Sequence, residues 1–280
     1  MSVNIMLAVL VAAFLNAAWN TSVKSTPDKF LGASLICFGG AAVALPFALA
    51  LPAISPAAYP NLIFSTACHV AYFLLINRAY RTADLSTAYP LMRGAAPLVS
   101  MILAFLLLNE APKALSILGA IVVLAGILFL GRDAFKKGGL DRTTLIAVST
   151  NAVVIACYTL SDGQGGRLSG QPVSYTLWLM VTAGLAFLPV ALVLRGPHFF
   201  AAARTHWPMA LSWGAASTGA YAIVIWAMSQ APIGLVSALR ETSALFAAVL
   251  GAVFLHEKFG MARYTCAALV CCGLALVRLA

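Results

Sequence analysis

Apolar runs of similar length, separated by short polar breaks, make up almost the whole chain. They cover approximately 3–23, 30–51, 58–77, 85–108, 114–131, 143–161, 172–194, 207–229, 233–255 and 261–279. A helix rises about 1.5 Å per residue and the hydrocarbon core of a bilayer is roughly 30 Å thick, so about 20 apolar residues make one crossing. The pattern predicts an all-α integral membrane protein of ten transmembrane helices. The first run has no basic leading segment and is followed by nine of the same kind, so it is expected to be a span and not a signal peptide.

Composition agrees with that reading. With 62% hydrophobic and 9% charged residues and a mean hydropathy of +0.96, the chain lies outside the range of soluble domains, and no segment remains to form one. No nucleic-acid partner is expected. Cys37, Cys68, Cys157, Cys266, Cys271 and Cys272 all fall within predicted spans without metal-ligand spacing, and read as small buried apolar residues. "HEKFG" has Gly260 where a zinc-binding helix needs its second histidine. "SDGQGGR" at 161–167 lacks the Lys-Ser or Lys-Thr of a phosphate loop and reads as a flexible link between spans six and seven. Neither a metal nor a cofactor is expected, and nothing points to covalent catalysis.

The chain also repeats. A shift of 147 residues lays "YPLMRGAAPL" (89–98) over "VSALRETSAL" (236–245), matching Arg93 to Arg240 and Leu98 to Leu245. The same register matches Glu110 to Glu257 and Gly126 to Gly273. Each half, 1–137 and 138–280, then holds five spans. An odd number makes the second half enter the membrane from the opposite side, which predicts two inverted five-helix repeats.

"APLVSMILAFLLLNEAPKALSILGAIVVLAGILFL" and "SALFAAVLGAVFLHEKFGMARYTCAALVCCGLALVRL" resemble the two EamA-type repeats of the drug/metabolite transporter superfamily, and "NAAWN" resembles its first-span pattern. The resemblance covers the whole chain. It implies a membrane transporter with a small-molecule substrate, working by alternating access, and leaves the substrate open. Ala244 stands where the first repeat has Pro97, so span nine is expected to be straighter than span four.

Candidate chemistry lies in the ionisable residues set deep in the spans. At about 1.5 Å per residue, Arg93 lies about 12 Å into span four and Arg240 about 10 Å into span nine. Ionisable groups at such depth cost roughly 2.5–3.5 kcal/mol to insert and normally face a bundle interior or a wet cavity. Glu241 is the only carboxylate read as deep, since Asp28, Asp84, Glu110, Asp133, Asp141, Asp162 and Glu257 lie at or near predicted span ends. Successive helical residues point about 100° apart, so Arg240 and Glu241 are not expected to neutralise each other. Two readings stay open: Arg93 pairs with Glu241 across the pseudo-twofold, or an arginine receives a carboxylate or phosphate of the substrate in the two-point manner that suits a guanidinium.

Asn16, Trp19 and Asn20 share one face of span one and are candidates to line the same cavity, with Tyr72, Tyr89, Tyr158, Ser217 and Tyr221. Each also has an ordinary packing reading. Pro90, Gly94 and Pro97 bend span four beside Arg93 and are candidate gate hinges. Tyr175, Trp178 and Trp207 sit nearer span ends as belt residues, and His69 is by default a satisfied core histidine, with a proton relay as the alternative.

The function expected is inner (plasma) membrane transport of a small polar metabolite, anionic or zwitterionic, with coupling to a proton or counter-substrate open. The alternatives are export of hydrophobic or cationic compounds through Glu241 and, with least support, a membrane-embedded enzyme. Glu110 and Glu257 are expected to cap the helices that follow spans four and nine as a structural frame.

Orientation divides two arguments. The resemblance implies both termini in the cytoplasm. Yet the breaks after odd-numbered spans hold Lys24, Lys29, Arg78, Arg81, Arg132, Lys136, Lys137, Arg142, Arg195, Arg204, Lys258 and Arg263, against Lys113, Arg167 and Arg278 on the other side. The positive-inside rule then puts both termini outside, and the charge count is the property of this chain. A reporter that is active only in the cytoplasm, fused after Ala280, is therefore expected to be silent; an active fusion reverses the orientation.

Overall fold

A computed structural model describes residues 1–24, 26, 28–82, 85–130, 142–254 and 261–279. Within these, side chains are described except at 24, 29, 73, 76–82, 85–95, 130, 142–145, 147, 148, 248, 251, 252, 254, 262 and 263. The helices are α1 Val3–Lys24, α2 Lys29–Ala50, α3 Tyr59–Thr82, α4 Leu85–Leu108, α5 Ala114–Leu130 and α6 Arg142–Leu168. They continue with α7 Pro172–Arg195, α8 Pro197–Gln230, α9 Ile233–Arg240, α10 Ser243–Phe254 and α11 Met261–Leu279. Helices α9 and α10 are the two parts of span nine, so ten spans are formed.

By length and apolarity alone, four described stretches suffice to cross a membrane: Val3–Val23, Phe30–Ala50, Pro172–Arg195 and Pro197–Gln230. Helices such as α6 carry too many polar residues to meet that test, and bury them instead: Asn151, Thr159, Ser161 and Asp162 are all at most 8% exposed. Large apolar side chains cover the outside, among them Phe47, Leu49, Ile63, Leu106, Leu185 and Val193. This is the arrangement a lipid solvent demands, with polar groups turned inward and apolar ones outward.

Packing follows the repeat. α6 lies against α3 and α4, and its mate α1 lies against α8 and against the two parts of span nine. α2 crosses α8 as α3 crosses α7, and the mates α5 and α11 pack on each other. Two of these crossings depend on glycine. A Cβ on Gly119 would stand 2.6 Å from the Gly273 carbonyl oxygen, and one on Gly273 the same distance from that of Gly119. A Cβ on Gly39 would stand 1.9 Å from the Ala210 carbonyl oxygen. Helices in lipid gain no hydrophobic drive toward each other, so close backbone approach at small residues is what holds them.

Several expectations are corrected. Span six does not end at 161: "SDGQGGR" is helical, and α6 runs to Leu168. Its glycines serve proximity instead of flexibility, since a Cβ on Gly163, Gly165 or Gly166 would lie 2.5–2.6 Å from Ile233, Tyr175 or Ile225. Span nine, expected to be the straighter mate, is the broken one, whereas α4 is a single helix. Arg204, read as a loop residue, lies in the first part of α8, which is kinked at the non-helical His206. Pro208 accounts for the kink, because it removes a helical N–H and crowds the preceding turn. Cys271 and Cys272 are exposed on α11, where they face outward instead of being buried.

Polar ties join the loops at both ends. At the end that carries the even-numbered loops, Arg167 pairs with Glu110 and donates to the carbonyls of Met228 and Ala231 at 2.9 Å each. Glu110 also accepts the Ile233 N–H at 2.7 Å. Glu110 therefore caps the start of α9 and not, as expected, the helix that follows it in sequence; Arg167 is a tie and not a loop charge. Glu257 and the predicted boundary between the halves lie outside the described residues. At the other end Asp28 caps α2 at Leu31 and receives Arg195 at 2.8 and 3.2 Å. Arg195 holds the Asp28 carboxyl below the usual carboxylate range, so this tie is present at neutral pH and is lost only as pH falls through that lowered value.

The glycine crossings generate a contrast. Gly39→Val should sharply reduce folded yield and melting temperature, because its side chain meets backbone that cannot move aside. Gly219→Ala, where a Cβ meets nothing within 4 Å, should melt at the same temperature or slightly higher, in line with the roughly 0.5–1 kcal/mol that alanine gains over glycine in a helix. Thermal melts of the two purified variants, read against the parent, make the check.

Candidate functional site

The site is built at the break in span nine. α9 stops at Arg240, and i→i+3 bonds carry the chain through the turn: Glu241 N–H to Ala238 at 3.2 Å, Thr242 N–H to Leu239 at 3.1 Å and Ala244 N–H to Glu241 at 3.0 Å. The Thr242 hydroxyl adds a bond to the Leu239 carbonyl at 2.8 Å. A tightened turn of this kind marks a hinge more often than a regular span does. Arg240 and Glu241 are 6% and 2% exposed, and Arg240 Nε lies 3.6 Å from Glu241 Oε1. The expectation that these neighbours stay apart is corrected: it holds for a continuing helix, and the helix ends between them. Ion pairing at this distance offsets part of the cost of burying both charges, which for one lone charge is several kcal/mol (order of magnitude).

A second buried carboxylate was missed from sequence. Asp162 is fully buried on α6. Tyr175 donates to its Oδ1 at 3.2 Å from α7, and Tyr221 to its Oδ2 at 2.5 Å from α8. The Ser65 hydroxyl of α3 lies close enough to interact with it as well, and His69 acts on it electrostatically. His69 Nδ1 is 2.9 Å from the Ser65 carbonyl and 3.2 Å from the Ser65 hydroxyl. The His69 ring packs at 4.4 Å on Tyr158 and at 6.1 Å on Tyr221, and Tyr72 meets Tyr158 edge-on at 6.1 Å. Arg240 lies within electrostatic reach of the Tyr221 hydroxyl, which joins the two carboxylate sites. At about 1.5 Å per residue, Asp162 lies about 9 Å from the end of α6 and Arg240 about 10 Å from the start of α9, so both sit at one depth below the same face.

Of the residues picked from sequence, Tyr72, Tyr158 and Tyr221 are brought together around Asp162, and Arg240 and Glu241 at the break of span nine. Asn16, Trp19, Asn20 and Ser217 are half-buried on the neighbouring α1 and α8. Asn20 donates to the Asn16 carbonyl at 2.7 Å, a bond inside α1. Pro97 is buried in α4, while the side chains of Tyr89, Pro90, Arg93 and Gly94 lie outside the described residues. Tyr175, read as a belt residue, is fully buried against Asp162; Trp207 is 60% exposed, as a belt residue should be. Asp162 had one signal in the sequence: it stands four residues after Tyr158, one turn along the same face, once "SDGQGGR" is read as helix.

Beside Asp162, a cleft of about 410 Å³ opens between α3, α4 and α6. Phe64, Leu103, Leu107 and Leu160 make it mainly apolar. Its polar residues Asn61 and Ser161 exchange bonds at 3.1 Å in each direction. No group of three or more metal-ligating side chains occurs among the described residues.

Comparison with known proteins fits this architecture. One crystal structure of a protein resembles the chain with a TM-score of 0.75 and 21% identity, over 98% of this chain and 96% of that one, among 24 matching chains of solved structures. At that identity the likeness speaks for the fold alone. No curated protein matches. Residues 3–132 and 142–279 each match the EamA-like transporter family, so the match falls on the two five-helix halves in turn. The chain belongs to the EamA-like transporter family, and is a multi-pass membrane protein of a family that carries small molecules.

Proposed function

We propose that the protein is a secondary transporter of the cell inner (plasma) membrane for a small polar metabolite that bears a carboxylate or phosphate-type group. The observation that carries this reading is the buried Arg240–Glu241 pair at the break of span nine. An internal pair of opposite charges favours a substrate that offers both: its anion exchanges for Glu241 at the guanidinium, and an amino group, where present, takes up Glu241. A zwitterion fits best, and a simple anion uses half of the site. The start of α10 adds its positive dipole end beside Arg240, in the manner of discontinuous transporter helices. Aromatic, amide and hydroxyl groups of Asn16, Trp19, Asn20, Tyr72, Tyr158, Ser217 and Tyr221 line the approach.

Alternating access follows from rocking of the halves 1–137 and 138–280 about this site. The Glu110–Arg167 tie and its carbonyl bonds support a closed even-loop end in this conformation. Pro90, Gly94 and Pro97 supply compliance in span four, and the turn at Glu241 and Thr242 supplies it in span nine. A second reading rests on the apolar cleft beside Asp162: a hydrophobic or cationic compound enters there and is selected by Glu241.

The test is exchange flux into proteoliposomes with amino acids, keto acids and sugar phosphates, with hydrophobic cations as the competing panel. Arg240→Lys should lower binding and flux of the active anion or zwitterion about tenfold or more, because an ammonium cannot reproduce the planar two-point contact, and Arg240→Ala should lower them further. Glu241→Gln should bind a simple anion more tightly and turn it over more slowly. Parent-like binding and flux in Arg240→Lys, with only an earlier melt in Arg240→Ala, would make the pair structural and defeat the proposal.

A further inference from the structure

We propose that Asp162 is a proton-binding site of the transport cycle, reached through His69 and Ser65. A carboxylate fully buried in the spans needs either a cation or a proton to balance it. Its direct bonds in the described surroundings come from hydroxyls, with the imidazole of His69 the ionisable base beside it. Tyr175 and Tyr221 bond to it from two different helices, and Ser65 lies close by on a third. The other titratable groups that face the cluster are His69 and Cys68 on α3 and Cys157 and Tyr158 on α6. Arg240 on α9 acts on Tyr221 but is 3.6 Å from Glu241, and Arg167, farther along α6, is taken up by Glu110. Hydroxyl hydrogens aimed at a carboxylate suit a proton better than a metal cation, which needs oxygen lone pairs turned toward it.

The transfer balances within the relay. A water proton reaches the outer nitrogen of His69, and the Nδ1 proton passes to the Ser65 hydroxyl, 3.2 Å away. Ser65 passes its own proton to the Asp162 carboxylate. Ser65 ends with one hydrogen, His69 is neutral again, and Asp162 is neutral. Release runs the same steps backward. Hydroxyls rotate freely and serve as donor to the ionised carboxylate or acceptor from the protonated one, so Tyr175 and Tyr221 stay bonded in both states. The change of charge at Asp162 is felt at Tyr221 and through it at Arg240. Neutral Asp162 leaves Arg240 more attractive to a substrate anion, and ionised Asp162 favours release, which makes proton and anion travel together. This coupling rests on Arg240 as the substrate's anchor; the proton site itself does not.

The probe is the proton alone, without substrate. Infrared difference spectra of the full-length protein in liposomes, stepped in pH across the range where it stays folded, should show a protonated-carboxyl C=O band. That band should vanish in Asp162→Asn, persist in Glu241→Gln and move in frequency in Tyr221→Phe, which keeps the ring and removes one hydrogen bond. His69→Gln should slow the appearance of the band at least about tenfold after a pH jump. Sodium at constant pH should leave it unchanged. If Asp162→Asn fails to fold, the Tyr221→Phe shift still identifies the group. No titrating carboxyl band in the parent, a band that survives Asp162→Asn, no frequency change in Tyr221→Phe, or displacement by sodium would each overturn the proposal. Normal proton titration with no anion flux in any panel would instead overturn the transport reading and leave Asp162 as a proton site.

Discussion

Polar groups inside the bundle have to satisfy one another, because lipid offers them nothing. Glu110, Asp162 and Arg240 each obey this constraint by reaching to another helix or across a break. Glu110 binds Arg167 and the first N–H of α9; Asp162 gathers hydroxyls from α7 and α8; Arg240 turns to Glu241 where α9 ends. Remove the constraint and nothing would require α6, with its asparagine, threonine, serine and aspartate, to lie at the centre. The lipid-facing helices are then arranged around α6 by close contact at glycine, since apolar surface alone gives two helices in a bilayer no reason to meet.

Ten spans, their approximate limits and the twofold repeat were legible in the chain, because each rests on a pattern that lipid imposes directly: apolar length and a register shared by Arg93 with Arg240 and by Gly126 with Gly273. The site was legible only in part. Arg240, Glu241 and the tyrosines were found because charge or phenol in an apolar run stands out. Asp162 was not, because Gly163, Gly165 and Gly166 next to it imitate a loop, and only the neighbours Ile233, Tyr175 and Ile225 show that they make room for contact. Ala244 misled in the opposite direction. The absence of a proline implied a straight helix, but the helix stops four residues earlier, where a buried arginine and glutamate and the Thr242 hydroxyl replace the regular ladder.

The two ends of the molecule are tied in different ways. The Asp28–Arg195 tie is half-exposed, with Arg195 also stacked over the Phe30 ring at 4.9 Å, and such surface pairs are worth at most about 1 kcal/mol. The Glu110–Arg167 tie is less exposed and is reinforced by two backbone carbonyls and a backbone N–H, so it couples α4, α6, α8 and α9 at once. Loss of one partner there leaves the others short of bonds in a region with little water to replace them.

The break in span nine has no counterpart in span four, whose backbone is one helix through the matching positions. Inverted repeats are commonly thought of as interchangeable: give each half the shape of the other and the opposite-facing state appears. Here that exchange would require α4 to come apart beside Pro97 and α9 to fuse with α10, which means making and breaking backbone hydrogen bonds and not merely rocking rigid helices. On the alternating-access cycle proposed above, the two facing states are therefore unequal in energy before any substrate binds, and the resting protein favours one side of the membrane.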